Sequence, residues 1–222
     1  MTRLATDERA RAEALNADHH VRMNENFAII DKQGKTSWYV GQDEASRESL
    51  VTAMLNCARR CDMSPPPGHH PRVLELGAGS GRDRRYLEER LCAEYVGVEI
   101  VEHAASAAGV HHLAFEDAPE EWNGSFDWIY SRHVMEHTVN IDTALTALKR
   151  VLAPHGVIGA VTPHVFPDNE PAHVTKLRVE EWHAAYERHG LRPVYCPVLR
   201  YACEETHLVA IHDTWRWPPV RE

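Results

Sequence analysis

The segment YSRHVMEHTVN, residues 130–140, sets His133, Glu136 and His137 within five residues. Continued as a helix, they stand at i, i+3 and i+4 and share one face. Two imidazoles and a carboxylate on one face make a ligand set for a divalent cation. The two nitrogen donors favour zinc, iron or manganese, whereas magnesium needs further oxygens from water and substrate. The same residues admit a second reading, a His-rich turn that shapes a pocket, with His137 as a base without metal. Another polar cluster, His164, Asp168, Glu170 and His173, follows in TPHVFPDNEPAHV. There His164 or His173 is a candidate to orient an acceptor or take its proton. The alternative is a solvated loop whose histidines cap the next helix.

A second constellation lies in VLELGAGSGRD, residues 73–83. Glu75 stands two residues before Gly77, Gly79 and Gly81, and glycines allow backbone to approach a ligand closely. Glu99 comes eighteen residues after Gly81 and closes the run YVGVE. A carboxylate there can hold both hydroxyls of a ribose. A nicotinamide dehydrogenase requires G-x-G-x-x-G, but Arg82 occupies the position of its third glycine. Glu75 also suits an amine-bearing ligand better than a pyrophosphate.

These residues need a scaffold that brings strand ends together. From Pro71 onward the chain reads as strand, loop, helix. RVLELG, EYVGVEI, HHLAFED, FDWIYS and GVIGAVTP are strands, with helices DRRYLEERLC, IDTALTALKRVL and VEEWHAAYERHG between or after them. LRPVYCPVL and THLVAIHD close the chain as an antiparallel pair. The alternation predicts an α/β fold, a mostly parallel sheet covered on both faces, with its ligand at the carboxyl ends of the strands. Upstream, residues 5–23 are helix-prone and FAIIDKQGKTSWYV reads as two extended runs about a turn. A helix from Asp43 to Cys61 follows, with Leu50, Met54, Cys57 and Cys61 on one face. SPPPGHHP ends it.

Composition narrows the function. A formal charge of −9 disfavours nucleic acid as the main partner. No apolar run has the length of a membrane span, and the N-terminus lacks a signal-peptide core, so a cytoplasmic location is expected. The five scattered cysteines read as reduced packing thiols.

Taken together, the motifs over residues 71–212 resemble the class I S-adenosylmethionine-dependent methyltransferases. The resemblance implies a Rossmann-like fold with a seven-stranded mostly parallel sheet, an antiparallel last strand and an N-terminal helical lid. It implies residues 1–70 as the lid that selects the acceptor and 71–222 as the catalytic domain. It places the methionine part over Gly77, Gly79 and Gly81 beside Glu75, the ribose on Glu99, and the adenine amine on Asp117 of FEDAP. Ser131, ending the fourth strand, completes the expected cofactor set. FDWIYSRHVMEH and LKRVLAPHGVIGAVTPH resemble the ubiquinone-type small-molecule O-methyltransferase branch, whose E-x-x-E-H motif holds a divalent cation. This chain has H-x-x-E-H, and His155 stands where that branch usually has glycine.

The motifs of amino-methylating DNA enzymes, cytosine-C5 enzymes and protein-arginine enzymes have no counterpart here, which leaves a small-molecule hydroxyl as the acceptor. From end to end the chain is also similar to actinobacterial methyltransferases acting on methylmannose polysaccharide precursors, which implies a mannoside. Arg22, Trp38, Tyr39 and Glu170 are the expected acceptor contacts, with His19 and His20 beside them. The expected cofactors are S-adenosylmethionine and a divalent cation, magnesium or a transition metal. A homodimer through the N-terminal helix is the expected assembly.

Overall fold

The computed structural model describes residues 6–32, 36–63, 68–102, 105, 109–164, 171–201 and 204–213, without the side chains of residues 20, 22–32 and 36–40. Eight strands form one sheet: β1 (Arg72–Leu76), β2 (Glu94–Glu99), β3 (Val110–His112), β4 (Phe126–Arg132), β5 (Leu152–Pro163), β6 (Leu191–Tyr195), β7 (Val198–Arg200) and β8 (Glu204–His212). Their order is β3-β2-β1-β4-β5-β8-β6, and the short β7 also pairs with β8. Strands β1 to β5 run parallel, while β8 is antiparallel to both β5 and β6. This is the expected sheet, with β7 added. The third strand is shorter than expected: it stops at His112, and Phe115–Asp117 form a 3-10 turn.

Five helices accompany the sheet: α1 (Thr6–Lys32), α2 (Thr36–Arg60), α3 (Arg84–Leu91), α4 (Ile141–Val151) and α5 (Val179–Arg188). FAIIDKQGKTSWYV does not form extended runs; α1 continues to Lys32 and α2 begins at Thr36. A strand needs a partner, and no pairing of the sheet includes this segment. A helix already nucleated by the polar stretch before it gains one bond per added residue.

Successive residues of each strand point to opposite faces, and both faces are covered. Leu74, Ile129 and Ile158 pack with Leu145, Leu148 and Val151 of α4 and Trp182 and Tyr186 of α5. On the other face, Val73, Tyr130, Val157 and Val209 meet Leu50, Met54 and Cys57 of α2, Cys61 just after it, and Leu87 of α3. The α2 stripe read from the sequence is therefore core. Its closest approach is at Gly159, where a Cβ would lie 2.3 Å from Met54 Sδ.

A buried polar clamp fixes α2 near the carboxyl end of β4. Asp83 accepts from Arg47 Nη1 at 2.9 Å and from the Tyr130 hydroxyl at 3.0 Å, with Arg132 Nη2 at 3.4 Å. Arg132 Nη1 donates to the Asp43 carboxylate and to its carbonyl, both at 2.9 Å. Asp83 is buried but has three donors, so its charge is compensated. Among the described residues no helix is long and apolar enough to cross a membrane.

Candidate active site

The order of the strands reverses between β1 and β4, and a cleft opens at their carboxyl ends. Its wall includes Gly77, Glu99, Glu116, His133 and His137, with Ala12, Asn16 and His19 of α1 on the other side.

At Gly77 the chain leaves β1 with φ +59°, and a Cβ there would meet Val134 Cγ2 at 2.4 Å. Glycine alone satisfies both the turn and the close approach. The loop then returns to β2: Ala78 N–H donates to the Val98 carbonyl at 3.0 Å and Gly79 N–H to Glu99 Oε2 at 3.0 Å. Glu99 Oε1 accepts from Val101 N–H at 2.9 Å. Backbone thus orients the Glu99 carboxylate, whose remaining lone pairs can accept ribose hydroxyls. This cradle fits S-adenosylmethionine.

Three expected cofactor contacts are placed differently. Glu75 lies beneath the loop and off the cleft wall, with Tyr95 OH donating to Oε2 at 2.6 Å. Burial pushes its carboxyl up to about 8, against the lowering effect of the Tyr95 bond. Ser131 is 1% exposed on β4, whose neighbours β1 and β5 flank it, and its hydroxyl has no hydrogen-bond partner among the described residues. Asp117 is taken by Arg9 of α1 at 2.9 Å, and its neighbour Glu116 lines the cleft instead. The 3-10 turn rotates successive residues by about a third of a turn, which exchanges the two side chains.

Burial pushes the Glu116 carboxyl up to about 7, with Asp117 and Glu8 adding to the rise. A carboxyl raised on folding contributes stability below its unfolded value that is lost as pH climbs through about 7. Glu116→Gln removes that loss. It is expected to raise Tm by about 3–8 °C near pH 8 and to leave it within about 1 °C near pH 4. Thermal melts of the two proteins across this range check the sign.

The histidine segment is not an α-helix. His133 takes φ +54° directly after β4, and Met135–His137 form a single 3-10 turn. His133 therefore leaves the expected shared face. Its Nδ1 lies 3.4 Å from Glu136 Oε1 and its Nε2 lies 3.4 Å from Glu205 Oε1 of β8. Burial would lower its pKa, but the bonds and charges of the two carboxylates prevail and raise it to about 9. His133 bridges two buried acids and stands outside the cluster of Glu136, His137 and His173. Glu205 is further supported by the Ser46 hydroxyl at 2.5 Å and His207 Nε2 at 3.0 Å.

His173 takes the place of His133. Ligand-bearing atoms of Glu136, His137 and His173 lie within 4.8 Å of one another. The segment carrying His173 is tied to the turn by Thr175, whose N–H donates to the Glu136 carbonyl at 2.9 Å and whose hydroxyl donates to the Thr138 carbonyl at 2.7 Å. His137 Nδ1 lies 3.0 Å from the Ala172 carbonyl. A carbonyl only accepts, so Nδ1 carries the proton and Nε2 keeps its lone pair. Burial, together with His19 and His173, lowers the His137 pKa to about 4 against the opposing Glu136 charge, so the ring is neutral. The His19 ring is 4.6 Å from that of His137, and the His173 ring 4.9 Å.

Glu136 is fully buried, with His133 Nδ1 at 3.4 Å and His137 Nε2 at 4.0 Å from its Oε1. Burial alone would raise its pKa; the His133 contact and the charges of His137 and His133 lower it. His164 stands apart from this cluster, its N–H donating to the Glu204 carbonyl at 2.8 Å. Asp168 and Glu170 lie outside the described residues, as do the side chains of His20, Arg22, Trp38 and Tyr39. Glu116, Glu205 and His207 were not singled out from the sequence. Glu116 is the neighbour of the expected Asp117, whereas Glu205 and His207 sit far along the chain from the motifs and are brought in by the pairing of β8 with β5.

Comparison with known proteins agrees with this geometry. A family model described as a methyltransferase domain matches residues 50–201. The glycine/sarcosine/dimethylglycine N-methyltransferase of Actinopolyspora halophila is 28% identical over 165 residues, 64% of this chain and 28% of its own length. The O-methyltransferase cnsE of Penicillium expansum is 31% identical over 122 residues, 48% of this chain and 44% of its own. The chain thus spans less than half the length of these curated relatives. The structure of the CurJ carbon methyltransferase aligns with a TM-score of 0.57 at 20% identity, over 72% of this chain and 53% of that one, a likeness of fold. With most of its length matched, and the glycine turn and ribose-type carboxylate in place, the chain belongs to the methyltransferase-domain family.

Proposed function

We propose that the protein transfers a methyl group from S-adenosylmethionine to a hydroxyl of a small molecule, with a divalent cation held by Glu136, His137 and His173. The observation that carries this reading is the Glu136 carboxylate, fully buried, with ligand atoms of His137 and His173 within 4.8 Å of its own. His133 faces Glu136 on one side and Glu205 on the other, and Glu205 draws on Ser46 and His207 as well. The fold holds the Glu136 carboxyl below its ordinary value, so it stands as a buried anion beside two imidazoles, a donor set for a divalent cation.

S-adenosylmethionine, when bound, supplies an activated methyl group. A divalent cation at this cluster would supply Lewis acidity toward an acceptor oxygen. The chain provides the rest. Glu99 orients the cofactor by accepting hydroxyl hydrogen bonds. The Ala172 carbonyl fixes the tautomer of His137 so that Nε2 faces Glu136. His19, tilted against His137 on the cleft wall, is positioned to take the acceptor's proton. Helix α1 narrows the opening and excludes water, the lid role proposed for residues 1–70.

For the acceptor we propose a sugar, a methylated mannoside, supported by the end-to-end resemblance noted from the sequence. The test is release of S-adenosylhomocysteine with short mannosides and with phenols, with and without a chelator. Turnover on mannosides that is lost on chelation and restored by a divalent cation is the expected result. Turnover indifferent to chelation would remove the cation. Turnover on phenols alone would remove the sugar.

A further inference from the structure

At the opposite, amino-terminal end of the sheet, three further residues converge. His69 lies on the segment entering β1, Asp127 is the second residue of β4, and His155 is the fourth residue of β5. His69 Nε2 and His155 Nε2 both stand 2.8 Å from the same oxygen, Asp127 Oδ1. The other oxygen, Oδ2, accepts from the Arg72 N–H at 2.8 Å. The two rings meet edge to face, 5.8 Å between centroids. Asp127 is buried, while the histidine side chains are about one-third exposed, 34% and 29%.

The backbone aims these groups. Pairing of β4 with β5 passes from Phe126↔Leu152 to Trp128↔Val157, so Asp127 alone faces Ala153, Pro154, His155 and Gly156. Such a bulge re-aims a side chain and interrupts the ladder. Here it carries His155 to Asp127. On the other side, Arg72 is locked to Asp127 through its backbone, and this holds the carboxylate so that Oδ1 faces both rings.

We propose that His69, Asp127 and His155 form a cation site of the zinc class, separate from the active-site cluster. Their ligand atoms lie within 4.8 Å of one another. Two imidazole nitrogens and one carboxylate oxygen are a borderline donor set, which selects zinc over magnesium or calcium. Ligand distances of about 2.0–2.2 Å require each Nε2 to move about half an ångström away from Oδ1. In the metal-free state both Nε2 atoms donate to Oδ1, so binding requires each ring to carry its proton on Nδ1 and to turn the Nε2 lone pair to the ion. The Arg72 N–H remains as the outer hydrogen bond that orients the carboxylate. A bound ion ties the segment entering β1 to the starts of β4 and β5. The residues are remote from the cleft wall, so the site acts on the sheet and not on the reaction.

The test uses metal-stripped full-length protein carrying Glu136→Gln, which removes the active-site ligand, with S-adenosylhomocysteine binding as the check on folding. Zinc is titrated against a chromophoric chelator, and cobalt is used as a spectroscopic probe of coordination. The expected result is one zinc per chain, with a tetrahedral cobalt spectrum and a zinc-dependent rise in Tm. Adding His155→Ala, or separately His69→Ala on the exposed segment, should weaken zinc binding by about 100-fold and abolish the rise in Tm. Zinc affinity unchanged within about threefold in either folded variant would overturn the proposal, as would absence of zinc binding in the Glu136→Gln protein. Because Glu136 is already removed, failure here is independent of the active-site reading.

Discussion

Glu136→Gln is expected to lower kcat by about 10²–10³-fold while changing the cofactor Kd by less than about threefold. Glu136 lies behind the cleft wall and does not line it, so the cofactor cradle of Gly77 and Glu99 should survive. The substitution keeps the shape of the side chain and removes its charge. Because the fold holds the Glu136 carboxyl below its ordinary value, its charge contributes stability at neutral pH, and Glu136→Gln should also lower Tm modestly. Retention of cofactor binding, read by calorimetry beside the steady-state kinetics, separates loss of chemistry from loss of fold. A variant that keeps more than about a tenth of wild-type kcat would show that the carboxylate does no chemistry.

Gly77→Val should be the most damaging single change to the cofactor cradle. A Cβ at this position meets Val134 Cγ2 at 2.4 Å, and the φ of +59° is unfavourable for a β-branched residue. The left-handed conformation alone costs about 1–2 kcal/mol, and the clash adds to it. The expected result is a cofactor Kd raised by at least about 100-fold and a lower Tm. Val134→Ala removes the atom that is struck and leaves the backbone strain. A double variant should therefore recover part of the affinity, and a double-mutant cycle measured by calorimetry reads the difference. Full recovery, or none, would contradict the assignment of two separate causes.

The cofactor side of the site was legible because its determinants are local. Gly77 and Glu99 each close a short buried strand, and parallel pairing of adjacent strands brings their ends together. The rest was hidden for identifiable reasons. Asp117 and Glu116 are adjacent acids, and only the 3-10 turn decides which faces the cleft. His133, Glu136 and His137 have the spacing of an α-helical face, but positive φ at His133 turns the first of them toward β8. The spacing carried no sign of that turn. His173 reaches the cluster through Thr175, and His19 reaches it from α1, across separations that no periodicity encodes. The same holds for Glu205, which reads in sequence as one more residue of a strand. In the first 60 residues, the apolar run FAII has strand composition, yet without a neighbouring strand to pair with it remains helical.

The histidines of the segment that first drew notice thus divide their work. His133 neutralises buried acids, while His137 presents a neutral nitrogen beside Glu136. This division rests on environment: His133 has a carboxylate against each ring nitrogen, whereas His137 has a carbonyl at Nδ1 and further imidazoles around it.

The central claim is methyl transfer from the cofactor to an acceptor oxygen at the Glu136 cluster. Its most direct test follows the carbon itself, with S-adenosylmethionine labelled with ¹³C in the methyl group and the product read by NMR. The account predicts an oxygen-bound methyl carbon, formed by the wild-type protein with its divalent cation and lost in Glu136→Gln. A methyl carbon bound to nitrogen or to carbon, or an oxygen-bound one formed equally by Glu136→Gln, would contradict it.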